Sequence, residues 1–186
     1  MNASGHELTR LTKASIFPRL RAAMPFLPAQ VDSLDLARYL IARVGPMPHL
    51  KLQKLVYYVQ SWHLAILDQP IIKDDFQAWA HGPVCRKVWN EFKSEDKPVM
   101  GEVALDSKAA KSIKAAFPAK VTKDQLEVID DVIEEYGDKS AYHLECLTHA
   151  ETPWRDARAG LDPSAKSTNV ITQDSIRRFF KSRLKV

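Results

Sequence analysis

The sequence predicts a mainly α fold, a single compact helical domain with a minor short β element. Apolar residues recur at spacings of three and four in several segments, which is the period of an amphipathic helix. Residues that start and stop helices flank those segments, whereas only one short segment has the composition of a strand. With 186 residues and 45% hydrophobic side chains, the chain can bury one core without disulfides or bound metal.

Two helices are predicted early in the domain. Leu36, Leu40 and Val44 repeat every fourth residue after Asp32, and Gly45-Pro46 ends this first helix. The helix that follows has an apolar stripe wide enough to indicate that more than one of its faces is covered. The stripe consists of Leu52, Leu55, Val56, Val59, Trp62, His63 and Ile66, and it is widened by Tyr57 and Tyr58.

The middle of the chain predicts one strand and two further helices. Residues 76–80 are apolar-rich and bounded by turn residues, which favours an extended strand. Gly82-Pro83 then predicts a helix start, because proline suits the first helical position, where an N–H would have no helical partner. A lysine-rich segment follows, with one short helix near residues 108–116.

Local capping patterns predict the later helices. Thr122 and Gln125 form a capping box, in which each side chain bonds the other residue's backbone N–H. Gly137 is expected to end this helix in the left-handed conformation. A further helix is predicted from Ser140, and Thr172 is predicted to cap the last helix.

Cysteine usage and hydropathy predict a cytoplasmic protein. Cys85 and Cys146 are far apart in the sequence and form no Cys-x-x-Cys pair, so reduced thiols are the simpler interpretation. The N-terminus lacks an apolar run of signal-peptide length, and no eighteen apolar residues follow one another. We therefore expect no membrane-spanning segment.

The charges are unevenly distributed, although the net charge is only +4. Residues 122–138 carry a net charge of −6 and residues 173–186 a net charge of +4. Such clusters bind a charged partner in some proteins and form solvent-exposed helix faces in others. The basic C-terminal helix could contact nucleic acid. However, Phe179 and Phe180 fall on its apolar face, which indicates core packing rather than base stacking. Nucleic acid is therefore not the favoured partner.

Signals of catalysis or metal binding are weak. The chain contains no Gly-x-Ser-x-Gly, Gly-x-x-x-x-Gly-Lys or Gly-x-Gly-x-x-Gly sequence. His143, Cys146 and His149 have spacings of three, but on a helix they spread over about 120° and converge poorly on a metal ion. Cys85 and His81 lack an orienting third group. The sequence predicts no catalytic residue, no metal and no cofactor.

The centre of the chain is unusually aromatic. Two tyrosines and three tryptophans fall within 33 residues, together with one arginine. Core packing explains most of them, but tyrosine, tryptophan and arginine are also the usual anchors of protein interfaces. The candidate anchors are Tyr57, Tyr58, Trp62, Trp79, Arg86 and Trp89.

Three segments, in the same order, resemble the Panacea-domain antitoxins of the SocA-like type. Residues 50–58 with Trp62-His63 are similar to the K-L-Q-K-L-x-Y-Y-x-Q-x-W-H opening of that family. Residues 78–84 resemble its A-W-x-x-G-P-V element, and residues 147–154 its L-T-H-x-x-x-P-W element. The motif residues expected to have structural roles are Lys51, Gln53, Lys54, Gly82, Pro83, Val84, Thr148, His149, Pro153 and Trp154.

The resemblance implies a helical domain, residues 32–186, that acts as the antitoxin of a toxin–antitoxin pair. Family members neutralise a protein toxin by binding it, and the SocA type delivers its toxin to the ClpXP protease as an adaptor. The resemblance therefore implies a cognate toxin as partner, with ClpXP as a second partner for the adaptor mechanism. A nucleic-acid-binding regulator of its own operon is the alternative function.

Residues 1–31 precede the family-like region and form an N-terminal extension. The extension has a net charge of +3 and short apolar pieces that cannot form a core alone, which is typical of segments that order on binding a partner. Its candidate toxin contacts are Leu8, Arg10, Leu11, Phe17, Arg19, Leu20 and Arg21. Packing of the same residues on the domain is the equally weighted alternative.

Overall fold

A computed structural model of the chain describes residues 31–97 and 99–184. Within these ranges the α-helices are α1 (Ser33–Val44), α2 (His49–Leu67), α3 (Arg86–Phe92), α4 (Ser107–Ala116), α5 (Lys123–Tyr136), α6 (Ala141–Ala150), α7 (Thr152–Ala157) and α8 (Gln173–Arg183). The strands are β1 (Met47–Pro48), β2 (Phe76–Trp79), β3 (Gly82–Cys85), β4 (Glu102–Val103) and β5 (Val170–Ile171). The predicted mainly α domain with a minor β element is confirmed.

Helix α2 is the centre of the domain. Every residue from Leu52 to Ala65 is buried, because α1, α5, α6, α8 and strand β3 pack around it. This burial on several faces confirms the prediction from the wide apolar stripe. No helix in the described ranges is long and apolar enough to cross a membrane.

A small antiparallel sheet lies beside α2. Its strand order is β3-β2-β5, with Gln77 opposite both Val84 and Val170. Strand β2 confirms the strand predicted at 76–80. A second ladder pairs β1 with β4, so that Met47 lies opposite Val103 near the start of α2.

The helix starts predicted from Thr122 and Thr172 as capping residues are confirmed. Thr122 N–H donates to Gln125 Oε1 at 3.0 Å, and Gln125 N–H donates to Thr122 Oγ1 at 3.2 Å. These reciprocal bonds satisfy two backbone N–H groups that have no helical partner. Side-chain oxygens also cap α1, α6 and α8 at Asp32, Ser140 and Thr172.

Two local predictions are wrong. Gly82-Pro83 does not start a helix, because the residues from Gly82 to Cys85 pair with β2, and α3 begins only at Arg86. Gly137 ends α5 in the right-handed region, with φ −67°, and not in the left-handed conformation. Lys51 Nζ donates to the Gly137 carbonyl at 2.7 Å, which satisfies a carbonyl group at the helix end that has no helical partner.

A buried carboxyl group lies between α2 and the later helices. Tyr58 Oη donates to Glu151 Oε1 at 3.0 Å, and the Tyr58 ring stacks on Tyr136 with centroids 4.1 Å apart. Glu151 Oε2 is buried and accepts no hydrogen bond from the described residues. Because the charged form is poorly solvated there, burial raises the pKa of Glu151 to about 8.

We expect Glu151→Gln to stabilise the protein at alkaline pH. The unfolded chain releases the Glu151 proton near pH 4.5, whereas the folded chain keeps it to about pH 8. Wild-type stability should therefore fall as pH rises through this window, by about 2–4 kcal/mol, and the glutamine variant should lack this component. Urea unfolding at several pH values measures the difference, with Glu127→Gln on the exposed face of α5 as the matched control. Equal pH profiles for wild type and Glu151→Gln would contradict the prediction.

Candidate protein-binding face

The outer edge of strand β3 is closed by side chains of α2. Gln53 Oε1 accepts a hydrogen bond from Cys85 N–H at 2.9 Å, and Lys54 Nζ donates to the Pro83 carbonyl at 3.2 Å. Pro83 has no N–H to satisfy. The Cys85 N–H and the Pro83 carbonyl on this edge of β3 are therefore bonded and the Pro83 N–H is absent, which makes the edge a poor template for another strand.

Lys54 brings an amine into the interior. The side chain is fully buried, and burial lowers the pKa of Lys54 to about 7, while the nearby Glu145 carboxylate favours the charged form. The Lys54 side chain reaches Pro83 only because Gly82 has no Cβ. A Cβ on Gly82 would lie 2.7 Å from Lys54 Cε and 2.8 Å from Thr148 Oγ1.

Helices α6 and α7 hold the turn between β2 and β3. Trp154 Nε1 donates to the Trp79 carbonyl at 2.9 Å, and the His149 ring stacks on Trp154 with centroids 4.0 Å apart. His81 Nδ1 lies 2.8 Å from Glu145 Oε1 on α6. The β2–β3 hairpin is thus fixed from two sides by contacts to residues far away in sequence.

Arg158 fixes the other edge of β2, and the sequence analysis did not identify it. Its guanidinium is buried and donates from Nη1 to the Ala78 carbonyl at 2.9 Å. Nη2 donates to three carbonyl groups of the following loop, those of Asp162, Pro163 and Ala165. The sequence offers no signal for this role, because a single arginine after a short helix fits an exposed position equally well.

The outer face of the sheet carries partly exposed aromatic and apolar side chains. Along β2 the residues Phe76 and Ala78 are buried, whereas Gln77 and Trp79 are half-buried. Val170 lies opposite Gln77 and is 48% exposed, although it is apolar and β-branched. None of the described residues covers the Val170 side chain completely.

Helix α3 extends this face. The Trp89 ring meets the Trp79 ring edge to face, with centroids 4.8 Å apart. The exposed Arg86 lies over Trp79, with Cζ 5.3 Å from the ring centroid. We call the surface formed by Gln77, Trp79, Arg86, Trp89 and Val170 the tryptophan face.

The structure separates the sequence-predicted anchors into two groups. Trp79, Arg86 and Trp89 lie together on the tryptophan face. Tyr57 and Tyr58 are fully buried and Trp62 is 5% exposed, because α2 is enclosed by other elements. These three side chains cannot contact a partner at the folded surface. The predicted anchors in residues 8–21 lie outside the described residues.

The basic residues of α8 are engaged within the domain. Lys181 Nζ lies 2.5 Å and Arg177 Nε 3.6 Å from Asp68 Oδ1, and the Arg183 guanidinium lies over the Phe179 ring. Phe180 is 2% exposed, as the sequence predicts for a core residue. In the described part of the chain, no three or more His, Cys, Asp or Glu residues are arranged to hold a metal ion.

Comparison with known proteins identifies the family. Residues 52–155, more than half of the chain, match the model of the SocA-like antitoxin family, the Panacea domain. The chain belongs to this family. It is also similar to the Antitoxin SocA of Caulobacter vibrioides (strain NA1000 / CB15N), with 26% identity over 132 residues that cover 68% of this chain and 70% of that protein. No solved structure matches the chain at a significant level.

Part of the tryptophan face lies within the region that matches the family. Trp79, Arg86 and Trp89 lie inside the matched Panacea region, together with the motif residues that hold the hairpin. Val170 lies outside it, on a strand that completes the sheet. The face therefore combines the Panacea region with the C-terminal part of this chain.

We expect Gly82→Ala to destabilise the protein by about 2–4 kcal/mol. Gly82 has φ +95°, which costs a residue with a side chain about 1 kcal/mol, and the added Cβ would also displace Lys54 and Thr148. Gly45→Ala is the matched control, because Gly45 has φ +99° but no atom within 4 Å of the added Cβ. Chemical unfolding should show a clearly smaller loss for the control, and equal losses would mean that the Lys54 contact is unimportant.

Proposed function

We propose that this protein neutralises a cognate protein toxin by direct binding, and that the tryptophan face is its principal contact surface. Membership of the SocA-like antitoxin family supports the toxin as partner. The observation that carries the choice of surface is the cluster of the half-buried Trp79 and Trp89 with the exposed Arg86. Tryptophan and arginine contribute most to binding energy when a partner excludes water from them.

The rigidity of the hairpin supports the same surface. Backbone carbonyls of Ala78, Trp79 and Pro83 each accept a hydrogen bond from a distant side chain. The face is therefore ordered before a partner arrives, and binding costs less conformational entropy than it would for a mobile loop. A preorganised aromatic surface suits an antitoxin, which must remain bound for as long as the toxin is present.

Two mechanisms are compatible with such a complex in the cytoplasm. In direct blockade the bound protein covers the toxin, so neutralisation needs a fixed molar ratio and no further component. In the adaptor mechanism the protein presents the toxin to a protease such as ClpXP, and a small amount of antitoxin removes a larger amount of toxin. We favour direct blockade, because the preorganised face is the surface best suited to a stable complex.

We expect Arg86→Glu and Val170→Asp each to weaken binding to the cognate toxin by about tenfold or more. Each change places a carboxylate on the tryptophan face, and a loss of about 1.4 kcal/mol corresponds to a factor of ten. Lys73→Glu, an exposed charge reversal outside this face, is the matched control. Binding is measured by calorimetry with purified proteins.

Neutralisation in a protease-free assay tests the mechanism with the same variants. Saturation near one fixed molar ratio, lost in proportion to binding in Arg86→Glu and Val170→Asp, is the expected result. Neutralisation that requires added ClpXP would contradict direct blockade. Full binding by both face variants would show that the toxin contacts another surface.

We expect deletion of residues 1–30 to reduce toxin binding and to leave the melting temperature unchanged. The reason is the composition of the extension, with a net charge of +3 in residues 1–31, which suits an acidic toxin surface. Arg10, Arg19 and Arg21 would supply the attraction, and substituting all three with glutamine tests it in the full chain. A truncated protein that neutralises fully would make the extension dispensable, and one that unfolds would assign it to the core.

A further inference from the structure

Helix α4 and helix α1 border an apolar groove. The groove has a volume of about 410 Å³, and Ile41, Ala42, Pro46, Leu105 and Ala110 supply its apolar lining. Lys111 and Lys114 lie at its border on the α4 side. Nothing among the described residues fills this space.

Helix α4 is incompletely packed in comparison with the other long helices. None of its ten residues is buried, and Ala109, Ala110 and Ile113 are only half-buried. The neighbouring helix α5 buries five residues on its apolar face. An amphipathic helix ordinarily covers its apolar stripe, so the half-covered stripe of α4 leaves room for one more element.

The charge of α4 indicates that an element covering the groove would be negatively charged. Lys108, Lys111 and Lys114 are its only charged residues, and none of them forms an ion pair with a described residue. By contrast, Lys120 just beyond α4 lies 2.6 Å from Asp35 Oδ2. Three unpaired lysines at spacings of three form a cationic ridge about 9 Å long beside the apolar groove.

We infer that this groove binds an acidic amphipathic helix of a partner protein. The apolar side chains of such a helix would enter the groove, and its carboxylates would pair with Lys111 and Lys114. Nucleic acid offers phosphates but no aliphatic side chains for the groove lining. Residues 1–31 carry a net charge of +3, so the lysines at the groove would repel rather than attract this extension. The residues that line the groove are not part of the tryptophan face. The inference therefore holds whichever surface binds the toxin.

A synthetic peptide tests the recognition chemistry with the full chain. The probe is a helical peptide of about 18 residues, with leucine at spacings of three and four and glutamate on the remaining face. The control peptide has lysine in place of every glutamate. We expect the acidic peptide to bind at least about tenfold more tightly than the basic one, and this preference should decrease when salt screens the charges.

Two pairs of variants locate the binding. Ala110→Trp fills the groove, and Ala115→Trp makes the same change at an exposed position of the same helix. The double substitution K111E/K114E reverses the border charge, and K73E/K93E reverses two exposed lysines that lie outside α4 and do not line the groove. Far-ultraviolet circular dichroism and melting temperature confirm that each variant folds. The surface charge reversal keeps the test valid if the tryptophan variant does not fold.

Loss of acidic-peptide binding in Ala110→Trp and K111E/K114E, with binding retained in both controls, supports the inference. Equal binding of the two peptides, or binding unaffected by both groove variants, overturns it. Sedimentation of the protein alone distinguishes a second copy of the chain as the occupant. A wild-type dimer that becomes monomeric in the groove variants would assign the groove to self-association and overturn the partner-protein assignment.

Discussion

The hydrogen bond from the buried Lys54 amine to the Pro83 carbonyl is the contact on which the arrangement of the motifs depends. An amine without water around it must find internal acceptors, because an unpaired buried cation costs several kcal/mol. Pro83 supplies one acceptor and Glu145 lies close enough to favour the charged form. Gly82 leaves the space that the Lys54 side chain occupies. The need of the buried amine for polar partners therefore links α2, the hairpin and α6, which belong to three separate sequence motifs.

Other polar side chains of α2 serve the same purpose for neighbouring loops. Gln60 Oε1 accepts from the N–H groups of Ile71 and Ile72 at 3.0 and 3.1 Å, which fixes the loop before β2. His63 Nδ1 donates to the Gln69 carbonyl, and its Nε2 accepts from Gln125 Nε2 at 3.2 Å. This neutral ring is favoured because burial lowers the pKa of His63 to about 4. Gln60 and His63 can be buried here because each side chain has a backbone or side-chain partner.

This internal network leaves two surfaces with different character for partners. The tryptophan face is aromatic, rigid and placed on a hairpin whose backbone is held by Arg158 and Trp154. The groove beside α4 is apolar and bordered by lysines on a helix without buried residues.

Features that depend on residues close together in the chain could be predicted from the sequence. The Thr122–Gln125 capping box and the Thr172 cap form as predicted, because each involves atoms only three residues apart. The wide apolar stripe of α2 likewise predicted its burial, since a helix that is apolar on several sides must be covered. The family motifs, too, could be recognised from residue order alone, and the family comparison bears them out.

Strand pairing and burial between residues far apart in the sequence could be seen only in the tertiary structure. Gly82-Pro83 has the local form of a helix start, yet pairing with β2 and the bond from Lys54 make it a strand. Tyr57 and Tyr58 have the composition of interface anchors, and only the packing around α2 shows that they are buried. Val170 becomes part of a surface because a strand far away in sequence lies beside it. Periodicity and capping act over a few residues, whereas strand pairing and burial depend on contacts that no local pattern encodes.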